Sequence, residues 1–72
     1  MQQWEYRLVS TKTNQNGLVV ISVDLKELNE TTLPKTLDYL NQLGREGWEI
    51  IGTATTLYMT QYILKRPLPV ER

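Results

Sequence analysis

Residues 33–51 read LPKTLDYLNQLGREGWEII, and their reading decides the fold. A leucine-bearing amphipathic segment passes Gly44 and Gly47 and runs directly into a tryptophan-led apolar stretch. At 100° per residue, Leu33, Leu37, Leu40 and Gly44 fall within about 60° of one another, with Leu43 on the flank. Lys35, Asp38, Asn41, Gln42 and Arg45 point largely to water. This is an amphipathic helix with a leucine stripe. Thr31 or Thr32 is available as its N-cap, and Pro34 suits the first turn, where its missing N–H is no loss. A glycine inside a helix costs about 1 kcal/mol relative to alanine. Gly44 on the stripe is therefore expected to let the last turn lie close on a sheet, against Trp4 or Trp48, where a larger side chain would overpack. Gly47 stands where a left-handed C′ residue ends a helix and turns the chain back, and Arg45 suits the helix dipole.

Working outward toward the C-terminus, residues 48–55 (WEIIGTAT) form a strand with Trp48, Ile50, Gly52 and Ala54 on one face. Residues 57–66 (LYMTQYILKR) form the next strand, after a turn near Thr55–Thr56 that holds no Gly, Pro or Asn. Pro67 and Pro69 stop pairing and leave residues 68–72 as an extended tail. Toward the N-terminus, residues 24–32 (DLKELNETT) read as a polar connector. Residues 18–23 (LVVISV) are a nearly continuous apolar strand, opened by Asn16–Gly17, a pair suited to tight turns. Residues 4–9 alternate, with Trp4, Tyr6 and Leu8 on one side. The expected architecture is a single α+β domain over residues 1–67: a four-stranded, mainly antiparallel sheet with one α-helix packed on one face, in the order β-β-α-β-β. Gly44, Gly47, Trp4, Leu37 and Leu40 are its expected structural residues.

The chain has 72 residues, eight acidic and eight basic, with no Cys and no His. A domain this small buries only about 60% of the surface its unfolded chain exposes, so something besides the core usually contributes to stability. Disulfides and the ordinary zinc ligands are excluded, which leaves self-association. Charge balance removes a long-range field toward nucleic acid or anionic membranes. No stretch approaches the roughly 20 apolar residues of a membrane span, and the start lacks a secretory pattern, so a cytoplasmic protein is expected.

W-E-Y at residues 4–6, L-N-Q-L-G-R-E-G-W-E-I at 40–50 and I-L-K-R-P at 63–67 resemble a widespread bacterial and phage family of small proteins known only as a domain of unknown function. The resemblance covers residues 4–67 and implies a compact β-rich fold with one helix. It carries over no catalytic residues. The chain departs from the family's look in residues 10–17 (STKTNQNG) and in its acidic connector.

Acid–base and nucleophilic chemistry near neutral pH leans on His or Cys, so catalysis is not expected. A carboxylate pair of Glu5 and Glu49 reads more simply as two exposed strand residues, and Asp24, Glu27 and Glu30 as a solvated face without the turn glycine of a calcium loop. No metal or cofactor is expected. One helix about 10 Å across covers roughly two strands at 4.8 Å spacing, so a four-stranded sheet keeps an uncovered apolar face. Val19, Ile21, Ile51 and Leu64, with Tyr58 and Tyr62, are its candidates and imply a homodimer or higher oligomer. On that scaffold the first functional expectation is a non-catalytic protein-interaction or regulatory module using Tyr58 and Tyr62. The second is a nucleotide- or metabolite-binding oligomer with Trp48, Tyr62, Lys65 and Arg66 around the ligand. A weak nucleic-acid binder using Lys65 and Arg66 ranks third, because adjacent strand residues point to opposite faces.

Overall fold

The computed structural model describes residues 1–15, 17–29 and 33–69. In chain order they form β1 (Trp4–Asn14), β2 (Gly17–Val23), β3 (Lys26–Glu27), α1 (Thr36–Arg45), β4 (Glu49–Thr55) and β5 (Thr60–Pro67). Every pairing is antiparallel, and the sheet order is β3-β2-β1-β5-β4. The α+β class with one helix stands, but the sheet has five strands where four were expected.

The fifth strand comes from the expected connector. Asp24 and Leu25 both have positive φ, 53° and 68°, between the paired residues Val23 and Lys26. Two central residues of that kind make a hairpin turn whose twist matches its strands. Asn-Gly or Asp-Gly is the usual signature, and here a leucine takes the second place. The Asp24 side chain accepts from the Leu8 N–H at 3.0 Å, while the Asp24 N–H donates to the Leu8 carbonyl at 2.7 Å. The same aspartate that forms the turn thus ties it to β1. Glu30, Thr31 and Thr32 lie outside the described residues, and with them the expected helix cap.

β1 continues five residues beyond the expected Val9, because Ser10–Asn14 pairs with β2 down to the Asn14–Gly17 end of the hairpin. Threonines at 11 and 13 are β-branched and suit a strand despite their polarity. Gly17 has φ +105°, which a side chain there would rarely allow. Two β-bulges reset the faces. Ile21 is the extra residue between the pairs Thr11–Val20 and Ser10–Ser22. Ile51 is the extra residue between Ile50–Leu64 and Gly52–Ile63. The second bulge overturns the expected common face of β4, sending Gly52 and Ala54 to the side opposite Ile50.

The helix starts at Thr36, later than expected. Pro34 lies before it, its carbonyl accepting from the Val20 N–H at 2.9 Å, and Lys35 forms a bridge with Val19. These bonds occupy the outer edge of β2. The inward helix face is Thr36, Tyr39, Leu40 and Leu43, not the stripe through Leu33, Leu37 and Gly44. Both stripes satisfy the helical period; the observed one uses an i, i+3, i+4, i+7 set with Tyr39 supplying much of the bulk. Leu37 is 69% exposed, and a Cβ on Gly44 would meet nothing within 4 Å. Gly44 therefore serves no close approach.

Gly47 has φ +94° and ends the helix as expected. Its N–H donates to the Gly44 carbonyl at 3.1 Å, and the Trp48 N–H donates to the Leu43 carbonyl at 3.0 Å. That pair of bonds is a Schellman closure, which usually brings a hydrophobic contact between its ends. Leu43 and Trp48 supply it within the core, together with Val9, Val20 and Leu64. The β4–β5 turn works without Gly, Pro or Asn because the Thr56 hydroxyl accepts from the Tyr58 and Met59 amides, and the Thr56 N–H donates to the Met59 carbonyl.

The two helix-end glycines should respond oppositely to alanine. In urea denaturation, Gly44→Ala is expected to raise stability by about 0.5–1 kcal/mol by helix propensity alone. Gly47→Ala is expected to lower it by about 1 kcal/mol, because alanine resists that φ. Equal responses would contradict this helix placement.

Candidate functional site

Residues opposite one another across a ladder share a face, and Val9, Val20 and Leu64 meet the helix residue Leu43. By register, Glu5, Arg7, Tyr62 and Arg66 lie on that helix side. Trp4, Tyr6, Leu8, Ile63 and Lys65 lie on the other.

On the helix side, Trp48 is only 6% exposed, and two guanidinium groups lie over its ring. The Arg7 carbon is 4.7 Å from the ring centroid and the Arg66 carbon 4.5 Å. Each cation has its own carboxylate: Arg7 with Asp24 at 3.4 Å, and Arg66 with Glu5. Arg66 also donates from Nη1 to the Glu46 carbonyl at 3.0 Å, covering the C-terminal end of the helix. A cation there is favoured by the helix dipole. The Trp48 Nε1 is buried without an acceptor among the described residues. Two cations, each matched by an acid, leave no net charge with which to capture an anion. The cluster is structural cement between β1, β5 and the helix end.

On the other side the part of the sheet around Trp4, Tyr6 and Ile63 is left open, whereas Ser10, farther along the same face of β1, is buried. Tyr6 is 63% exposed and Trp4 39%, with Ile63 partly open between Leu8 and Gly52 in register. Lys65 Nζ lies 4.1 Å from the centroid of Trp4, so its charge sits on an aromatic ring at the margin of this face. Gly52 and Ala54, turned here by the bulge at Ile51, make low ground beside Ile63 and Gln61.

The expected site residues are not brought together. Leu64 and Val19 are buried, Leu64 under the helix, so neither lies on an open face. Trp48 is core rather than surface. Trp4, expected in the core, is partly exposed on the far face. Tyr62 packs at the margin of the core and borders a cleft of about 360 Å³ with Leu18, Lys35, Leu37 and Leu40. Tyr58 stands at the β4–β5 turn, away from Tyr62. Ile51 occupies one bulge and Ile21 the other. Lys65 and Arg66 lie on opposite faces, each over its own tryptophan. Glu5 pairs with Arg66 across the ladder and Glu49 with Lys65, so the two glutamates also lie on opposite faces. Sequence reasoning missed Tyr6, Leu8 and Ile63 as the open face. The alternation of residues 4–9 marked that face, but Trp4 at its head suggested core.

Among the described residues there is no group of three or more Asp or Glu placed to hold a metal, and no helix is long and apolar enough to cross a membrane. No protein-family model, no curated protein and no solved structure matches the chain.

The cement should be measurable. Arg66→Ala removes the Trp48 contact, the Glu5 partner and the helix-end donor together, and is expected to cost about 2 kcal/mol in urea denaturation. Lys65→Ala, on the far face, is expected to cost less than about 1 kcal/mol.

Proposed function

We propose that the chain is a non-catalytic, cytoplasmic interaction module that self-associates through the sheet face turned away from its helix. The observation that carries this reading is the set of large apolar side chains left open there, Tyr6 above all, on a domain with a thin core. The buried apolar side chains among the described residues are Val9, Val19, Val20, Leu43, Trp48 and Leu64. A second copy would add the burial such a core lacks. Aromatic residues flanked by a polar margin are also the usual centre of a protein–protein interface. In a two-fold pairing, Tyr6 and Ile63 of one copy would meet the low ground of Gly52 and Ala54 on the other, so one patch serves both partners. The resemblance to small proteins of unknown function adds no activity that competes with this assignment. A regulatory role would follow if a different protein took the place of the second copy.

Light scattering at high micromolar concentration should report a dimer or larger species. Tyr6→Lys combined with Ile63→Lys should give a monomer with an unchanged circular dichroism spectrum, since neither side chain is buried. A monomeric parent chain at that concentration would overturn the proposal.

A further inference from the structure

The two outer edges of the sheet are treated differently. On β2, Val23 and Ser22 pair with Lys26 and Glu27 of β3, while the Pro34 carbonyl and Lys35 take up Val20 and Val19. On β4, nothing among the described residues pairs with the outer side, and every residue but Gly52 is exposed. A bare strand edge is a template for another strand, and chains usually blunt it with lysine, proline or a bulge. Residues 50–64 hold no charged residue and no proline. The bulge at Ile51 blunts the first part of β4 and leaves residues 52–55 regular.

Which backbone groups face outward follows from the ladders. The Leu68 N–H donates to the Gln3 carbonyl, and alternation from that pair along β1 and β5 turns the groups of Gln61 and Ile63 toward β4. Ala54 and Gly52 lie opposite them and answer them. Thr53 and Thr55 therefore point their N–H and C=O groups away from the sheet. The bond from the Thr56 N–H to the Met59 carbonyl sets the same phase from the turn.

This outward row is self-complementary. Turned about a two-fold axis at Ala54, two copies of β4 run antiparallel with Thr53 of each opposite Thr55 of the other. Both threonines then exchange their N–H and C=O groups in full, and facing threonine side chains add to the pairing. An axis at Thr53 would instead set Thr55 against the bulge. The same register brings Leu57 of one copy beside Ile51 of the other, and Tyr58 beside Ile50. In the single chain these four large side chains are 46% to 86% exposed.

We infer that β4 pairs edge to edge with β4 of a second copy, joining two five-stranded sheets into one. The inference rests on the face-to-face self-association proposed above, because a ladder this short holds two chains only marginally by itself. The edge axis stands perpendicular to the sheet, so edge-paired copies carry both helices on one side and both open faces on the other. The face axis lies parallel to the sheet, and two perpendicular axes close four copies into two broad layers packed face to face. Each face-paired dimer presents two β4 edges, and once the first pairs the second pairs intramolecularly. The low ground of Gly52 and Ala54 is thereby doubled across each junction.

Light scattering of the parent chain at high micromolar concentration should report a tetramer. Thr53→Pro should stop at the dimer with an unchanged circular dichroism spectrum, because the N–H it removes points away from β5 and proline is tolerated on an outer edge. A parent that is itself a dimer, and falls to monomer with Tyr6→Lys and Ile63→Lys, would overturn the edge pairing alone and leave β4 to an extended segment of a different protein. A monomeric parent would overturn both readings, and a tetrameric Thr53→Pro variant would overturn this one. Cross-linking tests the edge without the face. The chain has no Cys, so single cysteines can be read cleanly in the Tyr6→Lys, Ile63→Lys background. Ala54→Cys meets its twin in a non-hydrogen-bonded pair, with Cα atoms about 4.5 Å apart, and should oxidise to a disulfide-linked dimer. Thr53→Cys stands roughly 8 Å from its twin, beyond disulfide reach, and should cross-link at least about tenfold more slowly. Equal rates at the two positions would overturn the inference.

Discussion

The bond from the Trp48 amide to the Leu43 carbonyl is the constraint on which the rest of the structure depends. It can form only if the residue between helix and strand takes a left-handed turn, and Gly47 is the residue that takes it at little cost. Once it forms, the rotation of the helix and the start of β4 are set together. Leu43 and Trp48 must then face the same way, toward Val9 and Leu64, and the whole inward stripe of the helix follows from that orientation. A different stripe of leucines was available in the sequence, but it would not have carried Leu43 to the centre.

Burying Trp48 has an electrostatic side. Its indole N–H gives up water without gaining an acceptor among the described residues, a cost of order 1–3 kcal/mol. The ring is compensated from outside its own plane. Guanidinium groups are more weakly hydrated than ammonium groups and rest well on aromatic faces, and here two of them do so, each with a carboxylate beside it. Charge, ring and helix end thus form one unit linking β1, β5 and α1. The tryptophan on the other face is treated differently. Trp4 carries a single lysine and stays partly exposed, so the two sides of the sheet differ in chemistry as well as in coverage.

Much of this was legible in the residues. Gly47 and Gly17 announced the ends of elements because positive φ has few other occupants, and the alternation after Trp4 marked a strand. What escaped is physical rather than accidental. A bulge leaves no pattern of its own, so the inversion of Gly52 and Ala54 could not be read from a period of two. The β2–β3 turn uses Asp and Leu where Asn and Gly are the usual sign, and the Thr56 turn replaces a flexible backbone with a side-chain acceptor. Helix rotation was misjudged because Gly44 drew weight as a packing feature, whereas Thr36 and Tyr39, which the structure turns to the core, had no place on the expected stripe. An uncovered face was read from the surplus of sheet width over helix width, but Leu64 was assigned to it and lies under the helix, and Val19, also assigned to it, is buried.

The position of β1 has a consequence for how the molecule assembles in time. It is the central strand of the sheet, yet its ladder with β5 joins the two ends of the described chain, Trp4 opposite Pro67. Pairings this distant in sequence pay a large loop-closure entropy before they return any stability, and they slow folding accordingly. During synthesis the hairpin of β1 and β2 emerges early with one edge of β1 bare, and that edge stays bare until nearly the last described residues arrive. The nascent chain therefore passes through a stage in which its most central strand is its most exposed template.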